Sequence, residues 1–188
     1  MSFLAGPLLI GLAIWIYYEH QTKLKRKHKI KFTLWAFIVI VFSFLIETAG
    51  VKTGVIFGSY AYGDTLWPQI LNVPVAIGFA WLLMLLSSIA VIQRISLKII
   101  SDKWTTIVLV SVLMTFFDFM MEPAAITLNY WNWQNESVPF QNYLAWFVIS
   151  IILIYAGQKF DVLQKRQPKL AMHAYFAQMI YFIMVLFK

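Results

Sequence analysis

The chain alternates between long apolar runs and shorter polar connections, and this pattern dominates the sequence. Crossing about 30 Å of hydrocarbon takes about 20 mainly apolar residues in a helix. Six runs approach that length, the first being the shortest. They predict transmembrane helices at approximately Phe3–Tyr18, Phe32–Val51, Pro74–Gln93, Trp104–Ala124, Tyr143–Phe160 and Leu170–Phe187.

The charge of the connections predicts their side of the membrane. Thirteen of the fifteen Lys and Arg residues lie in alternate connections, and basic connections remain in the cytoplasm. We therefore expect a multi-pass protein of the cell membrane with both termini outside. The first run has its basic residues after it, the opposite of a secretory signal peptide, so we expect it to be retained. The basic connections are Lys23–Lys31, Arg94–Lys103 and Lys159–Lys169.

The composition also points to lipid and excludes several other functions. Of 188 residues, 61% are apolar and 12% charged, with a mean hydropathy of +0.74, whereas soluble domains have about 45–50% apolar and about 25% charged residues. Because the net charge of +7 arises in the membrane connections, it does not indicate nucleic-acid binding. The lack of cysteine excludes disulfides and thiolate metal sites, and the three histidines lack metal-ligand spacing. We expect an all-α, polytopic transmembrane bundle that forms one membrane domain over residues 1–188.

The two outer connections carry similar features in the same order. Each follows an acidic residue at a helix end, contains an aromatic-x-aromatic triplet, and continues through Val-Pro to Ala-Trp seven residues later. This order indicates a possible internal parallel repeat about an axis along the membrane normal. The matched pairs are Glu47 with Glu122, Tyr60-Ala61-Tyr62 with Trp131-Asn132-Trp133, Val73-Pro74 with Val138-Pro139, and Ala80-Trp81 with Ala145-Trp146.

Three of the eight acidic residues, Glu47, Asp118 and Glu122, fall within or at the end of predicted spans. A carboxylate in a transmembrane helix costs about 2.5–3.5 kcal/mol on insertion scales, so such residues usually face the bundle interior and mark a functional site. Asp118 and Glu122 are four residues apart and share one helix face. Low dielectric and like-charge repulsion there favour a neutral acid beside an ionised carboxylate. The alternative is that these acids have only a structural role and stabilise helix ends, for instance through an ion pair between Glu47 and Lys52.

Around these acids lie two motifs of chemistry-bearing residues. They consist of Glu47-x-x-Gly50-x-x-Thr53-Gly54-x-x-Phe57-Gly58-x-Tyr60-x-Tyr62, Val73-Pro74, Trp81, Asp118, Glu122-Pro123, Trp131-x-Trp133, Val138-Pro139, Asn142 and Trp146-Phe147. Together they resemble the membrane carotenoid-biosynthesis family that contains the carotenoid 1',2'-hydratases, over about Phe42 to Phe147. Three positions depart from the family pattern: Glu122-Pro123 stands where Asp-Pro is expected, Glu136-Ser137 where Tyr-Gly is expected, and Ala145 where glycine is expected.

This resemblance implies a cofactor-independent addition of water to the terminal double bond of an acyclic carotenoid that enters from the bilayer. A buried carboxyl group suits protonation of the alkene, a second carboxylate suits removal of a proton from water, and aromatic faces suit the intermediate cation. The expected catalytic residues are Asp118, Glu122 and Glu47. The expected substrate-binding residues are Tyr60, Tyr62, Trp81, Trp131, Trp133, Asn142 and Trp146.

Two other functions fit the same pattern. A carotenoid cyclase would begin with the same protonation and capture the cation with an internal alkene. A nonenzymatic protein that binds or transports carotenoid would explain the hydrophobicity but not the three acids in the membrane. The polar outer connections favour access of water, and thus hydration.

Overall fold

The structure, a computed structural model, describes residues 4–95, 102–135, 137–160 and 166–187. Predicted features at Phe3, at Glu136 and in the middle of the second and third basic connections lie outside this part of the chain. Within it the fold is a bundle of six helices, which confirms the predicted class. The helices are α1 (Ala5–Thr22), α2 (Arg26–Thr53), α3 (Ala76–Ile92), α4 (Lys103–Thr127), α5 (Phe140–Lys159) and α6 (Lys169–Val185).

Among the described helices, five are apolar and of about the length that a bilayer requires. Helices α2, α4 and α5 are long and apolar enough to cross a membrane, and α3 and α6 are shorter apolar helices of 17 residues. At 1.5 Å of rise per residue, 17 residues span about 25 Å, close to the hydrocarbon core of about 30 Å.

The helices begin and end at residues suited to those positions. Helix α2 starts at Arg26, six residues before the predicted start at Phe32, so its basic first turns are also helical. The prediction placed the start at the apolar run, but long basic side chains can extend from a helix to the membrane interface. Helix α2 ends at Thr53 and is capped by Gly54, which has a left-handed backbone with φ of 66°, a conformation that glycine adopts without strain. Asp102 caps α4 by accepting a hydrogen bond from the Thr105 N–H at 2.9 Å.

Helix α3 forms the centre of the bundle. All but two of its 17 residues are buried, and it packs against α1, α2, α4 and α6. Helix α5 packs mainly on α4, and the Trp35 indole of α2 donates to the Leu153 carbonyl of α5 at 3.0 Å. Helices α2 to α5 therefore enclose the interior of the bundle. Helices α1 and α6 pack on α3 at the periphery of the bundle.

The connections that follow α2 and α4, which we expect on the outer side, contain short strands that the all-α prediction did not include. Strand β1 (Tyr60–Tyr62) pairs with β4 (Trp131–Trp133), and β2 (Gln69–Ile70) pairs with β3 (Val73–Pro74). The first pair joins the two outer connections, which are 71 residues apart in sequence, and is antiparallel with Ala61 opposite Asn132 at its centre. The symmetric antiparallel register fits a two-fold axis that passes between the two strands, and the internal repeat stays a prediction.

Candidate functional site

A cavity of about 700 Å³ lies inside the bundle near the ends of α2 and α4. It receives side chains from all six helices and from the joined strands β1 and β4. By helical rise, Asp118 is about 13 Å and Glu122 about 7 Å from the end of α4 at Thr127. All ten residues expected at the site line it: Glu47, Tyr60, Tyr62, Trp81, Asp118, Glu122, Trp131, Trp133, Asn142 and Trp146.

Glu47 is held through both of its carboxyl oxygens. The Tyr60 and Tyr62 hydroxyls donate to Oε2 at 2.5 Å and 3.0 Å, and the Trp81 indole donates to Oε1 at 3.0 Å. Burial and the neighbouring Glu47 carboxyl raise the pKa of Tyr60 and of Tyr62 well above their usual range, so both phenols keep their protons and remain donors. These three donors, and not Lys52, are the partners of Glu47, which is thereby fixed as an acceptor.

Glu122 is bound on one side only. The Trp131 and Trp133 indoles both donate to its Oε2 at 2.9 Å. Alternate residues of a strand point to the same side, so the spacing of the two tryptophans in β4 directs both rings towards this carboxyl group. An indole N–H can only donate, which favours an ionised carboxylate. No donor from the described residues reaches Oε1, which is left for a ligand in the cavity.

Asp118 has the fewest donors of the three acids. The Asn142 side-chain amide donates to its Oδ2 at 2.6 Å, and among the described residues no donor reaches Oδ1. Asp118 is also only 1% exposed. Because each donor stabilises the charged form of a carboxyl group, Asp118 is the acid that retains a proton at the lowest cost.

The described residues that line the cavity include acids and aromatic rings but no basic side chain. Across the described residues the recorded ion pair is Lys23 with Glu19, outside the cavity, and no cluster of His, Asp or Glu forms a metal-binding group. The Trp81 and Trp146 rings stack with centroids 4.0 Å apart, and the Tyr60 and Trp133 rings lie 5.0 Å apart. Such π-faces stabilise a cation that forms beside them.

Comparison with known proteins identifies the family of the chain. Residues 5–188 match the family described as carotenoid biosynthesis protein. The chain belongs to this family. It is also 31% identical over 121 residues to the bisanhydrobacterioruberin hydratase of Haloarcula japonica, in a match that covers 61% of the chain and 40% of the relative. The chain thus spans two fifths of that relative's length. No solved structure matches it.

In this member of the carotenoid biosynthesis family, α1 and α6 also line the site, which the sequence did not indicate. Both lie outside the stretch that carries the motifs, and their apolar residues do not distinguish a wall of a cavity from a surface in lipid. Gln178 offered the clearest signal, since it is a polar side chain within the last span. The additional lining residues include Leu4, Leu8, Leu9, Leu12, Gln178, Tyr181 and Phe182.

Proposed function

We propose that this membrane protein is a carotenoid hydratase that adds water across the terminal 1',2' double bond of an acyclic carotenoid end group. The observation that carries the proposal is the pair Asp118 and Glu122. Each lines the cavity and has one oxygen held by donors and one oxygen that no described donor reaches, and the two residues differ in their donors.

The first step is protonation of the alkene. Asp118, in its neutral form, gives its proton to the less substituted carbon of the terminal double bond, which leaves a tertiary cation on the other carbon. Asn142 donates to Oδ2, so the proton of Asp118 is carried on Oδ1, the oxygen free of donors. The positive charge then lies beside four aromatic rings, those of Tyr60, Tyr62, Trp131 and Trp133. No cofactor is needed.

The second step is capture of the cation by water. Glu122 accepts a proton from the attacking water through its free oxygen as the new C–O bond forms, which gives a tertiary alcohol. One turn of α4, about 6 Å, separates Glu122 from Asp118, so a proton can return between them through one water molecule. Both acids then regain their starting forms, and the net reaction adds one water to one alkene.

Glu47 serves in this proposal as the fixed negative charge of the site. Its two oxygens accept three hydrogen bonds, so it is poorly placed to transfer a proton. Its charge stabilises the nearby cation through a medium of low dielectric.

The direct test is a comparison of carotenoid extracts from cells with and without the gene, made by mass spectrometry. Hydration adds the mass of one water to an acyclic carotenoid, and it does so twice if both ends react. An isomer of equal mass would instead indicate a cyclase, and an unchanged carotenoid would indicate a protein that only binds or transports it. Either of the last two results overturns the proposed reaction.

A further inference from the structure

One wall of the cavity is a single face of α1. The lining residues Leu8 and Leu12 of α1 and Leu4 just before it recur every four residues, which places them along one side of the helix. Leu8 is nevertheless 67% exposed. A side chain that both lines a cavity and faces outward lies at the rim of an opening.

Helix α6 supplies the opposite rim. Its residues Gln178, Tyr181 and Phe182 line the same cavity, and Tyr181 is 47% exposed. Helices α1 and α6 both pack closely on α3 but scarcely contact each other. We infer that the cavity opens between these two helices, at the lateral surface of the bundle.

The rims of the opening carry no charged side chain among the described residues, although Gln178 and Tyr181 are polar. Apart from the three acids, the described lining contains no charged residue. In a bundle that spans a membrane, a lateral opening between two helices faces the hydrocarbon of the bilayer. A molecule dissolved in lipid can cross this opening without meeting a charged group before it reaches the carboxyl groups.

We propose that the gap between α1 and α6, with Leu8 and Tyr181 at its rims, is the entrance through which a carotenoid end group passes from the bilayer into the cavity. The inference rests on the proposed function for the identity of the occupant. A cavity of about 700 Å³ lies within the range of about 300–1,000 Å³ for sites that bury a drug-sized ligand. It accommodates the reacting end group with part of the chain, and the remaining polyene extends into lipid.

A second apolar recess offers a competing route. It shares Leu128 and Tyr181 with the cavity, has a volume of about 790 Å³, and is lined by the C-terminal ends of α4 and α6, including Met184. It contains none of the three acids and no residue of α1. A chain that entered there would pass Met184 and not Leu8, so substitutions at these two positions distinguish the routes.

The test places a tryptophan at the rim. Leu8→Trp should lower kcat/KM for an acyclic carotenoid supplied in vesicles by about tenfold or more, mainly through KM, because association is slowed while the chemistry is unchanged. The matched control is Ile14→Trp, also on α1, which is 51% exposed but does not line the cavity and should leave kcat/KM unchanged. Thermal unfolding and the amount of protein in the membrane should be the same for both variants.

A measurement without chemistry separates this inference from the proposed reaction. The rate at which the protein takes up carotenoid from vesicles should fall for Leu8→Trp and not for Ile14→Trp, whether or not the product is an alcohol. Equal uptake by the two variants would overturn the entrance. It would also be overturned if Met184→Trp slowed uptake while Leu8→Trp did not.

Discussion

Replacing Asp118 by asparagine isolates the proton that starts the proposed reaction. The change removes the acidic proton but keeps the size of the side chain. The Asn142 amide now donates to Asp118 Oδ2 at 2.6 Å, and the carbonyl oxygen of an asparagine can accept the same bond. The new NH₂ group then occupies the position of the oxygen that lacks a donor, so the buried Asn142 amide keeps its acceptor.

The size of the effect follows from the role of the residue. A positioned general acid contributes about 10²–10⁴-fold to a rate, which corresponds to about 2.7–5.4 kcal/mol in the barrier. Glu122 has a free oxygen one helical turn away and can supply a small residual rate. We therefore expect Asp118→Asn to lower turnover by at least about 10²-fold, with the protein still in the membrane and still able to bind carotenoid.

The assay follows formation of the hydrated carotenoid in membranes that contain equal amounts of each variant. Glu19→Gln is the matched control, because Glu19 is a carboxyl group on α1 that pairs with Lys23 at 2.8 Å outside the cavity. Its removal should leave turnover unchanged, since surface ion pairs contribute about 0–1 kcal/mol to stability. If Asp118→Asn keeps turnover within about tenfold of the native protein, the reasoning about the acid is refuted.

Three other predictions concern the remaining acids and the orientation of the chain. Glu122→Gln should reduce turnover less than Asp118→Asn, because water attacks a tertiary cation with little help from a base; a larger loss for Glu122→Gln, measured in the same assay, would reverse the two roles. Glu47→Gln should lower the free energy of unfolding by about 1–3 kcal/mol, because an amide NH₂ must face at least one of three donors; an unchanged melting temperature in detergent would contradict this. Reporter fusions after Gln21 should report cytoplasm and fusions near Asp64 the outside, and the reverse pattern would invert the topology.

The helices and the acidic residues of the site could be predicted because each is marked by a local pattern in the sequence. An apolar run reveals a span wherever it packs, and an acid within a span is costly enough to indicate an interior position. These two rules identified α2 and α4 together with Glu47, Asp118 and Glu122. The orientation in the membrane and the catalytic roles of these residues stay predictions.

The partners of the acids could not be predicted because they depend on distant pairing. The strands β1 and β4 are joined across a long stretch of chain, and only this pairing shows that Glu47 is bound by phenols and Glu122 by indoles. Trp81 illustrates the same limit. It was expected to bind substrate, and the structure shows in addition that it donates to Glu47 and stacks on Trp146.

The aromatic lining of the cavity also gives the protein a built-in optical signal. Four of its eight tryptophans, Trp81, Trp131, Trp133 and Trp146, line the cavity. Indoles fluoresce in the near ultraviolet, and a conjugated polyene that absorbs there accepts their excitation energy at short distance. A polyene in the cavity should therefore quench part of the intrinsic emission, so that loading and release can be followed without attaching a dye.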